Sequence, residues 1–216
     1  MTARFLDAAA RAALAQAIAT IEGTSAVEVV IAVRRRSATY RHANVAVGGV
    51  AAMAGLAVML FSEHVFALTS ILVDPFVLGG IAGAIVEVLP GVKRRLTAAT
   101  VRHRAILCAA RATFVERGVH NTRDRSGILV YLSWLEREAV IVADSGLGRK
   151  MTGSAHTQAE RALTAAMADG GSAGARELER LAPALAAAMP RRADDINELP
   201  DAIDSDLDRH DRGLQP

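Results

Sequence analysis

Four carboxylate residues and one arginine lie where apolar segments of the chain begin, turn or end. Glu28 opens one apolar run and Asp144 closes another, while Asp124 and Glu136 lie in the polar turns on either side of a third run. Carboxylates that converge at strand ends could hold a hard cation such as calcium or magnesium through oxygen ligands, or could act as general acid and base. Arg123, next to Asp124, could bind a phosphate bidentately. These five residues are the candidate metal and phosphate ligands.

A simpler interpretation of the same residues needs no ligand. Glu136 belongs to Glu136-Arg137-Glu138, which is typical of a solvated hairpin turn, and Asp144 precedes Ser-Gly, where a carboxylate commonly caps a turn. The sequence has no Gly-rich phosphate loop, paired-His zinc motif or nucleophile elbow. Cys108 lies between apolar residues of a predicted helix, which indicates a packed thiol rather than a nucleophile.

The longest apolar stretch of the chain is residues 45–89. Its first run has no charged residue, and its second run is interrupted at Asp74-Pro75. A bilayer core requires roughly 20 apolar residues in a helix, so we predict a transmembrane helical hairpin with spans of about 45–62 and 65–89. The alternative, a buried hairpin of a soluble helical protein, is less consistent with two runs that lack a polar face at helical period.

Two further features of the hairpin bear on function. Small residues recur at the spacing that lets membrane helices approach closely: Gly79, Gly80, Gly83, Ala51 and Gly55. Asp74 would cost about 2.5–3.5 kcal/mol at mid-membrane, and ionisable residues in spans often mark a functional site. Asp74 and the helix-kinking Pro75 are therefore a candidate site, with a structural position near the membrane surface as the alternative.

The charge distribution predicts an orientation. The formal net charge is only +2, but basic residues concentrate on both flanks of the hairpin: Arg34, Arg35, Arg36 and Arg41 before it, and Lys93, Arg94, Arg95, Arg102 and Arg104 after it. The positive-inside rule places both flanks in the cytoplasm. Beside spans, these residues indicate contact with lipid head-groups rather than with nucleic acid. The single cysteine excludes an internal disulfide.

The remaining segments predict a small α+β domain that the hairpin cuts in two. Residues 1–40 supply its first helix and strand, and residues 92–189 supply the remainder. We expect these elements over 3–22 (helix), 25–34 (strand), 91–117 (helix), 127–133 and 139–144 (strands), and 157–167 and 173–189 (helices). The strands should form a central sheet of three or more strands covered by helices. Residues 190–216 are acidic and predict a disordered tail, with a short docking segment at 196–203.

The stretch from Phe114 through residues 122–144 resembles the TPM domain family. The shared pattern is an aromatic residue, a polar turn, Gly-Ile-Leu on a strand, a short Glu-Arg turn and a second strand that ends near Gly146-Leu147. Residues 21–30 look like the family's first helix-to-strand junction, and residues 195–201 are similar to the ending of its bacterial membrane-protein branch. The inserted hairpin departs from the family pattern, since many members place the domain outside the cytoplasm.

The resemblance implies an α/β sandwich with an acidic cluster at the strand ends, where some members bind calcium and some are phosphatases. We therefore expect a protein of the bacterial inner membrane with its soluble domain in the cytoplasm. Its expected function is non-catalytic: a membrane-anchored TPM-like domain that binds a membrane protein or lipid head-group in assembly or maintenance. The alternative is a metal-dependent phosphatase built on the cluster around Asp144. A homo-oligomer is compatible with both, and the substrate, the metal and a full-span or re-entrant hairpin stay open.

Overall fold

The computed structural model describes residues 5–151, 153–199 and 203–207. Along the chain, the described elements are α1 (Ala8–Thr24), β1 (Val29–Arg34), α2 (Arg41–Phe61), α3 (Leu68–Val88), α4 (Pro90–Leu96), α5 (Ala99–Glu116), β2 (Ile128–Ser133), β3 (Glu138–Ala143), α6 (Ser145–Gly148), α7 (Gly153–Ala166), α8 (Gly171–Glu179), α9 (Ala182–Ala188) and β4 (Ile203–Ser205). The chain divides into two compact units. We call residues 1–37 and 103–216 the sheet unit, and residues 38–102 the hairpin unit.

The sheet unit is an α+β domain built on a four-stranded mixed sheet in the order β3-β2-β1-β4. β1 pairs in parallel with β2, with Val29 opposite Ile128, and in parallel with β4, with Ile31 opposite Ile203. β2 and β3 form an antiparallel hairpin. The prediction of a central sheet of three or more strands is therefore confirmed. The sheet joins chain segments from both sides of the hairpin unit.

Helices cover both faces of this sheet. One face packs its apolar side chains, such as Ile31 and Val130, against α1, α7, α8 and α9. The other face, with Ala32 and Tyr131, packs on Ile106 and the rest of the buried side of α5. Alternate residues of a strand point to opposite faces, so strands that are covered twice are apolar throughout. This explains why β1 and β2 read as continuous apolar runs.

Three predicted elements differ from the structure. The predicted helix over 91–117 is two helices, α4 and α5, and the predicted helix over 173–189 is also two, α8 and α9. Pro183 accounts for the second break. Proline lacks a backbone N–H and is tolerated only in the first turn of a helix, and Pro183 lies in the first turn of α9. The predicted 3–22 helix is observed as α1, which continues through Gly23; residues 1–4 lie outside the described residues.

The expected disordered tail is the third difference. Residues 190–199 and 203–207 lie against the sheet unit: Leu199 and Leu207 are buried, and β4 extends the sheet. Asp204 forms ion pairs with Arg34 and Arg117. The described parts of the predicted docking segment at 196–203 do pack on the domain, and the remainder of 190–216 lies outside the described residues.

The hairpin unit contains α2 and α3, two helices of 21 residues each that pack against each other. Both are long and apolar enough to cross a membrane, with mean hydropathies of 2.0 and 1.9. Their contact is made at small residues. A Cβ atom added to Gly48 would lie 2.7 Å from the carbonyl oxygen of Gly79, and one added to Gly83 would lie 3.1 Å from that of Asn44. The two helix backbones therefore touch directly.

Candidate functional site

Glu28 lies immediately before β1, and its side chain is only 6% exposed. Its Oε2 accepts a hydrogen bond of 3.3 Å from the backbone N–H of Leu199. Burial raises the pKa of Glu28, and the nearby charges of Asp195 and Glu198 raise it further, against the hydrogen bonds from the backbone of residues 198 and 199. Glu28 also lines a cleft of about 180 Å³ between the end of α1 and residues 191–197.

Asp124 and Asp144 lie at the same end of the sheet as Glu28, because β2 runs parallel to β1 and β3 antiparallel. Asp124 forms an ion pair of 3.1 Å with Arg192. Asp144 caps α6 by accepting from the Ser145 N–H. Its Oδ2 is buried without a hydrogen-bond partner among the described residues, and the Arg125 guanidinium lies 3.9 Å away. The turn-capping interpretation of Asp144 therefore agrees with the geometry.

Arg123, the candidate phosphate ligand, lies at this end too, and its side chain is 75% exposed. Its guanidinium lies 4.0 Å from the Asp194 carboxylate, and its backbone N–H donates to Glu198 at 2.8 Å. Residues 190–199 thus bring three further acids and two arginines, Arg191 and Arg192, to this end of the sheet. Sequence analysis predicted a docking segment at 196–203 but did not assign it to this end of the sheet.

Glu136 does not belong to this group. It lies in the β2–β3 turn, at the opposite end of two strands of six residues each, which corresponds to a separation of roughly 20 Å. Neither is it solvated: its side chain is 3% exposed, and it accepts hydrogen bonds from the Ser37 N–H at 2.9 Å and from the Ser133 hydroxyl. The prediction that Glu136 joins the other three carboxylates is therefore wrong, because the β2–β3 turn lies at the opposite end of these strands from Glu28, Asp124 and Asp144.

Glu136 anchors a buried polar network that sequence analysis missed. The Ser37 hydroxyl lies 2.8 Å from that of Ser133 and 3.3 Å from that of Tyr131. Tyr131 and Ser133 alternate on β2, and this period places them on one face. That spacing was the available signal. The network holds the last residue of the sheet unit before the chain enters the hairpin unit.

The described residues contain no group of three or more His, Cys, Asp or Glu side chains arranged to hold a metal ion. The three carboxylates at one end of the sheet each have another role. Glu28 accepts a hydrogen bond from a backbone N–H, Asp124 is paired with an arginine, and Asp144 caps a helix. Cys108 is exposed rather than packed. The reason is its position on α5 between the buried Ile106 and Ala110, since two residues along a helix turn a side chain to the other face.

The exposed large apolar side chains are concentrated in the hairpin unit. Except for Val115 and Ile196, every large apolar side chain that is exposed among the described residues lies in this unit. Phe61 is 88% exposed and Val65 is 91% exposed. Asp74 is exposed within α3, and Pro75 is buried inside the same helix. An apolar groove of about 330 Å³ lies between the helices, lined by Ala52, Met53, Leu56, Leu68, Ile71, Leu72, Pro75 and Phe76.

Of the five small residues predicted at the helix contact, the structure supports three. Gly79 and Gly83 meet the backbone of α2, and a Cβ atom on Gly55 would lie 2.8 Å from Leu78 Cδ2. Gly80 has no atom within 4 Å of such a position, and Ala51 is partly buried. Gly48, which sequence analysis did not select, provides the closest approach on α2.

The comparisons with known proteins bear on the fold. No family model matches the chain, and no curated protein is significantly similar to it. One solved structure resembles it: the NMR structure of the BA42 protein from the psychrophilic bacterium Bizionia argentinensis, with a TM-score of 0.56 and 16% sequence identity over 93% of this chain and 95% of that one. At that identity, the likeness concerns the arrangement of the backbone.

Proposed function

We propose that this chain is a membrane-anchored TPM-like domain protein of the bacterial inner membrane. In this proposal α2 and α3 insert into the bilayer, and the sheet unit lies on the cytoplasmic side. There it binds another membrane protein or a lipid head-group in assembly or maintenance, without catalysing a reaction. The observation that carries the proposal is the apolar exterior of the hairpin unit.

This exterior is costly in water. Exposed apolar surface costs about 25 cal/mol per Å² relative to burial, and contiguous patches of several hundred Å² mark interaction or membrane surfaces. A helix of 21 residues is about 32 Å long, which matches a hydrocarbon core of about 30 Å. Backbone contact through Gly48 and Gly79 is the packing that membrane helix pairs use.

The pairing of β1 with β2 supports a hairpin that returns to the side it left. Val29 and Ile128 face each other in one sheet, although the hairpin unit separates them in sequence. In this proposal, both flanks of the hairpin lie on one side of the bilayer. Within the hairpin unit all Lys and Arg residues lie at the flanks, with none between Arg41 and Lys93, which favours the cytoplasmic side.

A binding role is favoured over catalysis because the candidate acidic residues already have partners within the domain. Asp124 is paired with Arg192, and Asp144 caps α6. The proposal of a TPM-like domain draws on the order of elements in the sheet unit: helix and strand before the hairpin, and helix, strand, strand and helices after it.

Membrane extraction and cysteine labelling test the anchoring and the topology. The exposed Cys108 must first be removed by Cys108→Ser. In that background, Glu63→Cys reports on the α2–α3 loop and Lys150→Cys on the sheet unit. We expect carbonate-resistant membrane association, labelling of residue 63 in intact spheroplasts by an impermeant maleimide, and labelling of residue 150 only after permeabilisation. A chain that is soluble without detergent, or labelling of residue 150 in intact spheroplasts, would contradict the proposal.

The binding role has its own test. The protein is purified from a mild detergent extract, and co-purifying proteins and lipids are quantified against a control membrane protein. We expect one protein or one lipid class to be enriched. Recovery of neither would contradict a binding function, even if the anchoring were established.

One observation favours the alternative, a metal-dependent phosphatase. Asp144 Oδ2 is buried without a hydrogen-bond partner among the described residues, as a metal ligand could be, and Arg123 lies at the same end of the sheet, just before β2. The test is hydrolysis of p-nitrophenyl phosphate with calcium, magnesium or manganese. The alternative requires metal-dependent turnover that falls at least about tenfold in Asp144→Ala but not in Glu116→Gln, on the exposed surface of α5.

A further inference from the structure

The cations of the hairpin unit gather at one end of it. We call Arg41, Lys93, Arg94, Arg95 and Arg102 the basic cluster; it contains every Lys and Arg of residues 38–102. Arg41 starts α2, and the other four lie on α4 and the first turn of α5, directly after α3. The acids of the unit are Glu63 in the far loop, Asp74 within α3, and Glu87 near the end of α3.

Side-chain contacts hold this end in a defined shape. Lys93 is 3% exposed and forms an ion pair with Glu87, which also accepts a hydrogen bond of 2.7 Å from the Asn44 side chain. These contacts join the start of α2, the end of α3 and α4. The His42 ring lies 3.2 Å from the Thr97 hydroxyl and adds a second link between α2 and the segment after α4.

Arg102, in the first turn of α5, holds the end of α4 within the hairpin unit. One of its guanidinium nitrogens donates to the carbonyl oxygens of Arg94 and Thr97, the latter at 2.6 Å. These carbonyls lie at the C-terminal end of α4, where a cation also interacts favourably with the helix dipole. No carboxylate pairs with Arg102 among the described residues. Arg102 is therefore a positioning residue that sets the direction of α4.

Two arginines of the basic cluster, Arg41 and Arg95, are placed to bind an anion. Arg41 and Arg95 are exposed and have no ion pair or hydrogen bond within the described part of the chain. Of the three acids within residues 38–102, Glu87 alone lies at this end, and it is paired with Lys93. The end therefore carries uncompensated positive charge on a rigid frame, next to two apolar helices.

We propose that Arg41 and Arg95, held in place by the Lys93–Glu87 and Arg102 contacts, bind the phosphate of an anionic phospholipid at the base of the hairpin. Arginine recognises phosphate through paired charged hydrogen bonds. Basic residues directly beside membrane helices bind anionic head-groups. The inference rests on the proposed insertion of α2 and α3, and it names the lipid class and the site.

The test measures lipid selectivity of the full chain in bilayers. The protein is reconstituted in phosphatidylcholine, and spin-labelled phosphatidylglycerol or phosphatidylcholine is added as the probe. The fraction of motionally restricted label gives the relative association constant. We expect phosphatidylglycerol to be preferred at least about fivefold, which corresponds to about 1 kcal/mol, and the preference to weaken in high salt.

The double variant Arg41→Gln/Arg95→Gln should reduce this preference to about one. The matched control is Arg149→Gln/Lys150→Gln, which removes the same charge from exposed positions of the sheet unit and should keep the preference. Equal association of both lipids with the wild-type chain, or an unchanged preference in the Arg41→Gln/Arg95→Gln variant, would overturn the inference. So would displacement of the lipid by soluble glycerol phosphate, which would indicate a site for free phosphate instead.

Failure of the inference and failure of the proposed function give different results. An inserted protein restricts labelled phosphatidylcholine whether or not it selects anionic lipid. Restriction without selectivity therefore contradicts only the lipid site, whereas the absence of any restricted component contradicts the membrane insertion itself.

Discussion

At the scale of single residues, Glu136 stabilises the sheet unit from a buried position, although its charged neighbours in the sequence are typical of a solvated turn. Its side chain is 3% exposed, and its carboxylate accepts from a backbone N–H and from a serine hydroxyl. A buried donor that loses its acceptor costs about 1–3 kcal/mol. The residue thus ties the β2–β3 turn to the chain that leaves β1.

Replacing this carboxylate should destabilise the fold. We expect Glu136→Ala to lower the free energy of unfolding by about 3 kcal/mol, because the Ser37 N–H and the Ser133 hydroxyl lose their acceptor and a cavity is left. Chemical denaturation of the detergent-solubilised chain, followed by fluorescence of the single tryptophan, Trp134, measures this. Glu116→Ala, an exposed glutamate on α5, should change it by less than about 0.5 kcal/mol. Equal effects of the two variants would contradict the assigned role.

A second residue-scale prediction concerns pH. His156 Nε2 lies 3.3 Å from the Glu160 carboxylate, and this hydrogen bond raises the pKa of His156 above its ordinary value of 6.5 despite burial. Burial alone would raise the pKa of Glu160, but the hydrogen bonds from His156 and Ile141 hold it below 4.5. The pair therefore stabilises the fold most between pH 4.5 and pH 6.5, the ordinary pKa values of the two side chains.

Stability from His156 is fully present below pH 6.5 and is lost as the pH rises through the higher pKa of the folded state. We expect the unfolding free energy of the wild-type chain to fall across this range and that of His156→Gln to fall less. Denaturation at a series of pH values measures the difference. His64→Gln, in the α2–α3 loop, should keep the wild-type pH profile, and an unchanged profile in His156→Gln would refute the linkage.

At the scale of elements, the α2–α3 contact depends on which glycine faces the partner helix. Gly79→Ala should destabilise the hairpin by about 1–3 kcal/mol, because the added methyl group meets the Gly48 carbonyl at 2.7 Å. Gly80→Ala, one residue away, has open space and is the matched control. Thermal loss of helical circular dichroism in detergent measures both. Equal melting temperatures would mean that the helices do not pack through this face.

The same elements show what sequence can and cannot predict. α2, α3, β2 and β3 were predictable because each combines an apolar run with clear turn signals. β4 was not, since three residues in an acidic segment have no measurable period. Cys108 was assigned to the buried side of α5 because its neighbours in the sequence are all apolar. Such a run does not show which side of the helix faces the core. Which carboxylates share an end of the sheet follows from strand direction, and this depends on pairings distant in sequence.

At the scale of the whole molecule, the division into two units predicts that the proposed membrane affinity resides in the hairpin unit alone. Replacing residues 38–102 by a flexible Gly/Ser linker should give a chain that is soluble without detergent, because the exposed apolar residues leave with the hairpin unit. Its Trp134 should keep the emission of the full chain, since it packs on Phe5 within the sheet unit at 5.2 Å between ring centroids. Ultracentrifugation and fluorescence test both expectations; an insoluble product with native emission would contradict the division.

The parallel pairing of Val29 with Ile128 also sets an order of events during synthesis. At typical elongation rates β1 leaves the ribosome roughly 5–20 s before β2, and for that interval its N–H and C=O groups have no strand beside them. The two apolar helices emerge in between. We therefore expect translocon insertion of α2 and α3 to be complete before the nascent domain can close, so that a ribosome stalled ahead of residue 128 would carry a lipid-inserted, protease-sensitive intermediate.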